Sequence, residues 1–167
     1  MHVTAHFVDK MPLNYLYCGI IDKAVPNSKM LHLTRHPMAT CYAVFKTLFD
    51  RRYPFSYDLT EIAEYYIGYR RLLRHWHDTL QERLVDVSYE RLVTAPAEGA
   101  RVAFNFRGLV WSDAYLDISQ CSTASTTASA AQVRRPIYST SVDLWLRYEG
   151  QLAPVFERLR RAGIDIS

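Results

Sequence analysis

Residues 29–37 read KMLHLTRHP. Apolar side chains alternate loosely with polar ones over 29–35, which predicts a short strand. A turn containing Pro37 follows, and apolar positions of helical period over 39–49 predict a helix directly after it. Arg35 therefore falls at the carboxyl end of a strand, just before a helix begins.

Similar strand and helix patterns flank this unit. Upstream, a predicted strand over 5–9 leads into an amphipathic helix that begins near Pro12. Downstream, a long amphipathic helix is predicted over 59–82, and a strand follows it over 84–89. Because strands that alternate with helices are typical of parallel sheets, the predicted fold class is α/β, with a mainly parallel sheet flanked by helices.

The C-terminal half of the sequence is less regular. A helical stretch over 91–106 is interrupted by Pro96 and Gly99. Residues 119–131 are rich in Ser, Thr and Ala without any period, which predicts a loop. A final amphipathic helix is predicted over 141–162.

Composition restricts the class of protein. A length of 167 residues with 49% apolar residues fits one domain over 1–167, and a net charge of +3 does not favour a nucleic-acid partner. No apolar run approaches the roughly 18 residues of a membrane span, and the N-terminus lacks the layout of a signal peptide. We therefore expect a soluble, cytoplasmic protein without a membrane or nucleic-acid partner.

The sequence contains three cysteines, Cys18, Cys41 and Cys121. Their odd number, and the apolar helical patterns around two of them, favour buried free thiols over a disulfide framework. No Cys or Cys/His spacing indicates a metal site, so none is predicted.

Three residues stand at the carboxyl ends of predicted strands and are candidates for ligand binding: Lys10, Arg35 and Tyr89. In an open parallel sheet, ligands bind beyond the carboxyl ends of the strands. Lys10 offers a compact positive charge, and Arg35 offers a guanidinium fork beside a helix N-terminus, both of which suit an anionic group. From residue type and spacing alone, a solvated lysine and a surface ion pair are the alternatives.

Four motifs occur in order at compatible spacings. They are Val8-Asp9-Lys10-Met11-Pro12-Leu13-Asn14-Tyr15, Pro26-Asn27 with a strand ending in Arg35-His36-Pro37, Ser88-Tyr89-Glu90-Arg91-Leu92-Val93, and Gln132-Val133-Arg134-Arg135-Pro136-Ile137-Tyr138 with Trp145 beyond. Together they resemble the motifs of sulfotransferases that use 3′-phosphoadenosine 5′-phosphosulfate (PAPS). The chain is most similar to bacterial sulfotransferases often fused to tetratricopeptide repeats, and more distantly similar to tyrosylprotein sulfotransferases.

The resemblance implies a fold related to P-loop kinases, with PAPS, or its product PAP, across the strand ends and no metal. By this resemblance, the nucleotide-binding residues would be Arg35 at the 3′-phosphate, Tyr89 beside the nucleotide, and Ser129, Gln132, Arg134, Arg135 and Tyr138 in a loop that closes over it. The catalytic residues would be Lys10, near the transferred sulfuryl group, and Ser129, at the leaving phosphate.

The sequence departs from the family pattern in several places. The Gly/Ser/Thr-rich loop that cradles the phosphosulfate would precede His6, where nothing matches it, and no residue is identified as the general base. Ala43 stands where a serine usually binds the 3′-phosphate, and Leu144 stands where a basic residue is usual. Thr40 and Lys46, on the same predicted helix as Ala43, are candidates for compensating donors.

Two hypotheses on function follow. The first is a sulfotransferase that transfers a sulfuryl group from PAPS to a hydroxyl or amine acceptor, as an N-terminally truncated portion that lacks its first strand and phosphosulfate loop. The second is a non-catalytic domain that binds PAP or a related nucleotide, or an interaction module. A sheet without its first strand would expose an edge, so we expect marginal stability or self-association there. The acceptor stays open, with the aromatic residues 53–57 as a candidate wall.

Overall fold

The computed structural model describes residues 7–49, 53–117 and 137–166. In these ranges the helices and strands follow the order α1 (Cys18–Ala24), β1 (Met30–Thr34), α2 (Pro37–Lys46), α3 (Leu59–Leu80), β2 (Leu84–Ser88), α4 (Tyr89–Thr94), α5 (Pro96–Arg107) and α6 (Ala153–Arg161). Short 3-10 turns lie at Asn14–Tyr17, Pro54–Tyr57, Gln81–Arg83, Asp113–Leu116 and Leu144–Tyr148. The mixture of helices with parallel strands confirms the predicted α/β class. None of the helices described is both long and apolar enough to cross a membrane.

β1 and β2 form a parallel pair, and they are the strands found in the described ranges. Their pairing is continuous over five residues of each strand and ends with Thr34 opposite Ser88. Parallel strands need a long crossover, and helices α2 and α3 supply it here. The pairing therefore brings Arg35 and Tyr89, the residues that follow the two strands, to the same edge of the sheet.

Helix α3 is the main support of the core. Its N-terminus is capped by Asp58, whose Oδ1 accepts hydrogen bonds from the backbone N–H groups of Thr60 and Glu61 at 2.7 and 2.9 Å. Its apolar side packs against α2 and α6. The buried residues of this core are Met38, Cys41, Ile62, Ala63, Tyr66, Ile67, Leu152, Val155 and Leu159. The long amphipathic helix predicted from its apolar stripe is thus confirmed, and its observed end at Leu80 lies close to the predicted one.

Two predicted elements differ from the structure. Residues 7–9, the described part of the strand predicted over 5–9, are not in a strand. Phe7 and Val8 are 81% and 91% exposed, and the sheet in the described ranges consists of β1 and β2 without this segment. The helix predicted over 141–162 is instead a 3-10 turn followed by α6. Pro154, in the first turn of α6, lacks an N–H and cannot continue a helix from the preceding residues.

The helical stretch predicted over 91–106 is divided into two helices. Helix α4 ends at Thr94, and Pro96 begins α5, so the proline marks a start rather than a kink. The two helices then pack closely. Gly99 is the reason they can do so, because a Cβ there would lie 2.8 Å from the backbone nitrogen of Leu92.

Cys18 and Cys41 are buried free thiols, as predicted. Cys41 is fully covered in the core, and this burial raises the pKa of its thiol to about 12. At neutral pH Cys41 is therefore a protonated, unreactive core residue. Cys121 lies outside the described residues.

We predict opposite effects for two glycine-to-alanine substitutions. Gly99→Ala places a methyl group against the backbone of α4 and lowers the free energy of unfolding by about 1–3 kcal/mol. Gly68→Ala, in the middle of α3, meets nothing within 4 Å and raises that free energy by about 0.5–1 kcal/mol. Urea denaturation of both variants measures the difference. A stabilising Gly99→Ala would contradict the close packing of α4 on α5.

Candidate functional site

The candidate site lies beyond the carboxyl ends of β1 and β2. Arg35 directly follows β1, and Tyr89 directly follows β2 as the first residue of α4. The guanidinium carbon of Arg35 lies 4.7 Å from the centroid of the Tyr89 ring, which is cation–π contact distance. Two residues chosen from separate strand ends in the sequence are thus neighbours in the fold.

Ser141 connects these two side chains. Arg35 Nη2 donates a hydrogen bond to the Ser141 backbone oxygen at 2.6 Å, and the hydroxyl oxygens of Tyr89 and Ser141 lie 2.6 Å apart. The guanidinium is therefore held on one face by a ring and at one end by a carbonyl. Its Nε is buried and has no hydrogen-bond acceptor within the described part of the chain. Such an unused buried donor costs about 1–3 kcal/mol, which an anionic acceptor would recover.

Glu90 ties the start of α2 to the end of β2. Its Oε1 accepts a hydrogen bond from the backbone N–H of His36 at 2.8 Å, and its Oε2 accepts one from the Ser88 hydroxyl at 3.1 Å. Ser88 Oγ also accepts the N–H of Arg91 at 3.2 Å and so caps α4. Glu90 belongs to one of the sequence motifs, but no role was predicted for it. The local signal for this role is a carboxylate two residues after Ser88, the serine that caps α4.

Trp145 brings the C-terminal segment to the site. The imidazole of His36 stacks on the Trp145 ring, with centroids 4.8 Å apart and planes 13° from parallel. His36 Nε2 also lies 3.2 Å from the backbone oxygen of Ile166. The C-terminal segment therefore lies against the N-terminus of α2, beside Arg35.

Of the other predicted site residues, Lys10 and Tyr138 lie in the described ranges. Lys10 is exposed in an irregular segment and does not follow a strand, because no strand forms over residues 7–9. Tyr138 is 41% exposed and lies three residues before Ser141 in the chain. The remaining predicted nucleotide-binding and catalytic residues lie outside the described residues: Ser129, Gln132, Arg134 and Arg135.

The two candidate compensating donors on α2 make other contacts. The Thr40 hydroxyl donates to the backbone oxygen of His36 at 3.1 Å, so its one proton is used inside the helix. The ammonium of Lys46 lies 5.3 Å from the centroid of the Tyr42 ring. In this structure neither of them takes the place of the serine hydroxyl that Ala43 lacks.

The aromatic segment proposed as an acceptor wall packs partly on α3. The rings of Phe55 and Tyr65 stack with centroids 3.7 Å apart, and the hydroxyls of Tyr65 and Tyr15 are hydrogen-bonded at 2.7 Å. Tyr57 is 51% exposed at the end of the segment. The segment is therefore a supported surface with an aromatic side chain open to solvent, and its role toward an acceptor stays a prediction.

Sequence reasoning missed a polar cluster on the sheet. His32 Nδ1 and His77 Nε2 lie 2.7 and 3.1 Å from Asp86 Oδ1. Partial burial raises the pKa of Asp86, but its hydrogen bonds to His32 and His77 and the electrostatic effect of these rings lower it by more, so the net pKa lies below its ordinary value. No spacing signal could have found this cluster, because only the parallel register places His32 opposite Asp86.

A parallel strand pair with a helix after each strand defines an α/β domain, a class in which ligands bind beyond the carboxyl ends of the strands. The model of the sulfotransferase family matches residues 2–113. An uncharacterized protein of Aquifex aeolicus (strain VF5) is 34% identical over 156 residues, which are 92% of this chain and 20% of that protein. The chain belongs to the sulfotransferase family, and it spans about a fifth of the length of this relative.

We predict that Glu90→Ala lowers the free energy of unfolding by about 1–3 kcal/mol, because it leaves the His36 N–H without its acceptor. Glu98→Ala is the matched control. It removes only an exposed ion pair with Arg91 and should cost less than about 1 kcal/mol. Chemical denaturation followed by circular dichroism compares the two variants. Equal losses would mean that Glu90 does not anchor the strand ends.

Proposed function

We propose that this chain binds the 3′-phosphate of PAPS or PAP at Arg35 and takes part in sulfuryl transfer to a hydroxyl or amine acceptor. The supporting observation is the guanidinium of Arg35 beyond the carboxyl end of β1, fixed on the Tyr89 ring and carrying a buried Nε without an acceptor in the described ranges. Membership of the sulfotransferase family supports PAPS or PAP as the ligand of the proposed site.

The surroundings of Arg35 suit a phosphate. Tyr89 and Ser141 fix the orientation of the guanidinium before a ligand arrives, so little side-chain entropy is lost on binding. Glu90 carries a negative charge near the strand ends, and its two oxygens already accept hydrogen bonds from His36 and Ser88. Those contacts stabilise the carboxylate and reduce its repulsion of a bound anion.

Ser141, which contacts Arg35, follows the predicted nucleotide loop in the chain. The segment that follows the predicted nucleotide loop returns to Arg35 at Ser141, three residues after Tyr138. We propose that Ser129, Gln132, Arg134, Arg135 and Tyr138 bind the nucleotide, as the resemblance implies. Of these residues, Tyr138 lies in the described ranges.

The proposed reaction forms one bond and breaks another. The acceptor oxygen or nitrogen bonds to sulfur, the bond between sulfur and the bridging oxygen breaks, and PAP leaves with that electron pair. The acceptor proton passes to a base or to solvent. In this scheme Lys10 neutralises charge that develops on the bridging oxygen and Ser129 donates a hydrogen bond to the leaving phosphate, which lowers the barrier by positioning and electrostatics.

A second candidate is a domain that binds the nucleotide without transferring the sulfuryl group. This alternative is supported by the hydrogen bond that the Thr40 hydroxyl donates to the backbone oxygen of His36. Because of this bond, Thr40 does not replace the serine hydroxyl that is missing at Ala43. One missing hydrogen bond to a charged group weakens affinity by about ten- to a hundredfold, and binding can survive that loss. The tetratricopeptide-associated subtype and a cytoplasmic location stay predictions.

Calorimetric titration with PAP and with adenosine 5′-monophosphate tests the site, because the two ligands differ by the 3′-phosphate. We expect the chain to prefer PAP by about ten- to a hundredfold, and we expect Arg35→Ala to lose that preference. Arg161→Ala, which changes an exposed arginine on α6, is the matched control and should keep it. No preference for PAP in the parent chain would overturn the proposal.

Turnover separates the two candidate functions. Release of PAP from PAPS in the presence of small hydroxyl and amine acceptors, reduced in Lys10→Ala with PAP affinity unchanged, is the result expected of a transferase. PAP binding without any release would support the non-catalytic alternative. In either case the Arg35→Ala titration tests the 3′-phosphate site independently of catalysis.

A further inference from the structure

A cluster of two imidazoles and one carboxylate lies on the sheet, away from the proposed nucleotide site. It consists of His32 on β1, Asp86 opposite it on β2, and His77 near the end of α3. One ligand atom from each of these three residues lies within 4.8 Å of the other two. We propose that His32, His77 and Asp86 form a binding site for a divalent transition-metal ion of the zinc type.

The separations of the ligand atoms fit such an ion after a small adjustment. His32 Nδ1 and His77 Nε2 lie 2.7 and 3.1 Å from Asp86 Oδ1. Tetrahedral zinc with bonds of about 2.0–2.1 Å keeps its ligand atoms about 3.3 Å apart. The contacts of Asp86 Oδ1 with His32 Nδ1 and His77 Nε2 would therefore lengthen by about 0.6 and about 0.2 Å as an ion replaces the protons between them. The two histidine nitrogens already lie within 4.8 Å of each other.

The donor set is selective. Two neutral imidazoles and a carboxylate are ligands that suit zinc, cobalt and nickel, whereas magnesium and calcium prefer oxygen ligands alone. Both thiols in the described ranges, Cys18 and Cys41, are buried elsewhere and do not compete for the ion. The site thus favours a borderline transition metal over a hard cation.

Metal-binding histidines usually donate the ring N–H that faces away from the ion to a hydrogen-bond acceptor, and Tyr69 is such a partner for His32. The hydroxyl of Tyr69 is hydrogen-bonded to His32 Nε2, on the opposite side of the ring from Asp86. A tyrosine hydroxyl both donates and accepts, so it can accept the Nε2–H and leave Nδ1 free for a metal. Tyr69 is itself held by edge contact with the Tyr15 ring, with centroids 5.1 Å apart.

The exposure of the cluster leaves an approach from solvent. The side chain of His32 is 11% exposed, while those of His77 and Asp86 are 38% and 45% exposed. An ion can enter from the open side and keep water as a fourth ligand. His32 and Asp86 stand three residues before Arg35 and Tyr89, about 10 Å along the strands. The ion would therefore fasten α3 to the sheet rather than contact the sulfuryl group.

Titration of the metal-free 167-residue chain with Co²⁺, followed by visible absorption, tests the proposal without any assay of activity. We expect one Co²⁺ per chain, displaced by Zn²⁺, with affinity reduced at least about tenfold by His77→Asn. His75→Asn is the matched control, because His75 is exposed on the same helix two residues earlier. It should leave the affinity unchanged.

Tyr69→Phe gives a second measurement that does not remove a ligand. Loss of the outer hydrogen bond should weaken Co²⁺ binding by about ten- to a hundredfold while the ring contacts remain. Circular dichroism of each variant shows whether it is folded. Absence of one-to-one binding, or a loss in His75→Asn equal to that in His77→Asn, would overturn the proposed site.

Discussion

The parallel pairing of β1 with β2 is the constraint on which the candidate sites depend. Because Thr34 lies opposite Ser88, the residues that follow the strands emerge side by side, and Arg35 meets the ring of Tyr89. The same register sets His32 opposite Asp86 three residues earlier. A shift of one residue would separate both pairs and turn alternate side chains to the other face of the sheet.

The second level of organisation is the set of contacts that holds the strand ends in place. Ser141 returns from the C-terminal part of the chain to bind both Arg35 and Tyr89, and Glu90 joins α2 to β2 through backbone and side-chain hydrogen bonds. At the same strand ends, the buried Arg35 Nε and His36 Nδ1 have no hydrogen-bond partner in the described ranges. The proposed anion would give Arg35 Nε an acceptor, and native structures rarely leave such a donor unused.

Local patterns were sufficient to predict much of the fold. The apolar stripe of α3 is a short-range signal, and the helix appears in the structure where the sequence indicates it. Residues 7–9, the described part of the strand predicted over 5–9, do not form a strand, because a short strand is stable only when a partner is present to pair with it. The single helix predicted over 141–162 is wrong, because Pro154 has no backbone N–H and cannot continue a helix from the residues before it. The amphipathic pattern alone does not show this break.

The sequence by itself determined the α/β class, the family motifs, and the positions of Arg35 and Tyr89 at strand ends, because each depends on neighbouring residues. Only the tertiary structure decided that Ser141 joins those two side chains and that His32, His77 and Asp86 form one cluster. Such contacts depend on strand register and helix packing. The local residue pattern does not encode them, since they join groups that are tens of residues apart in the chain.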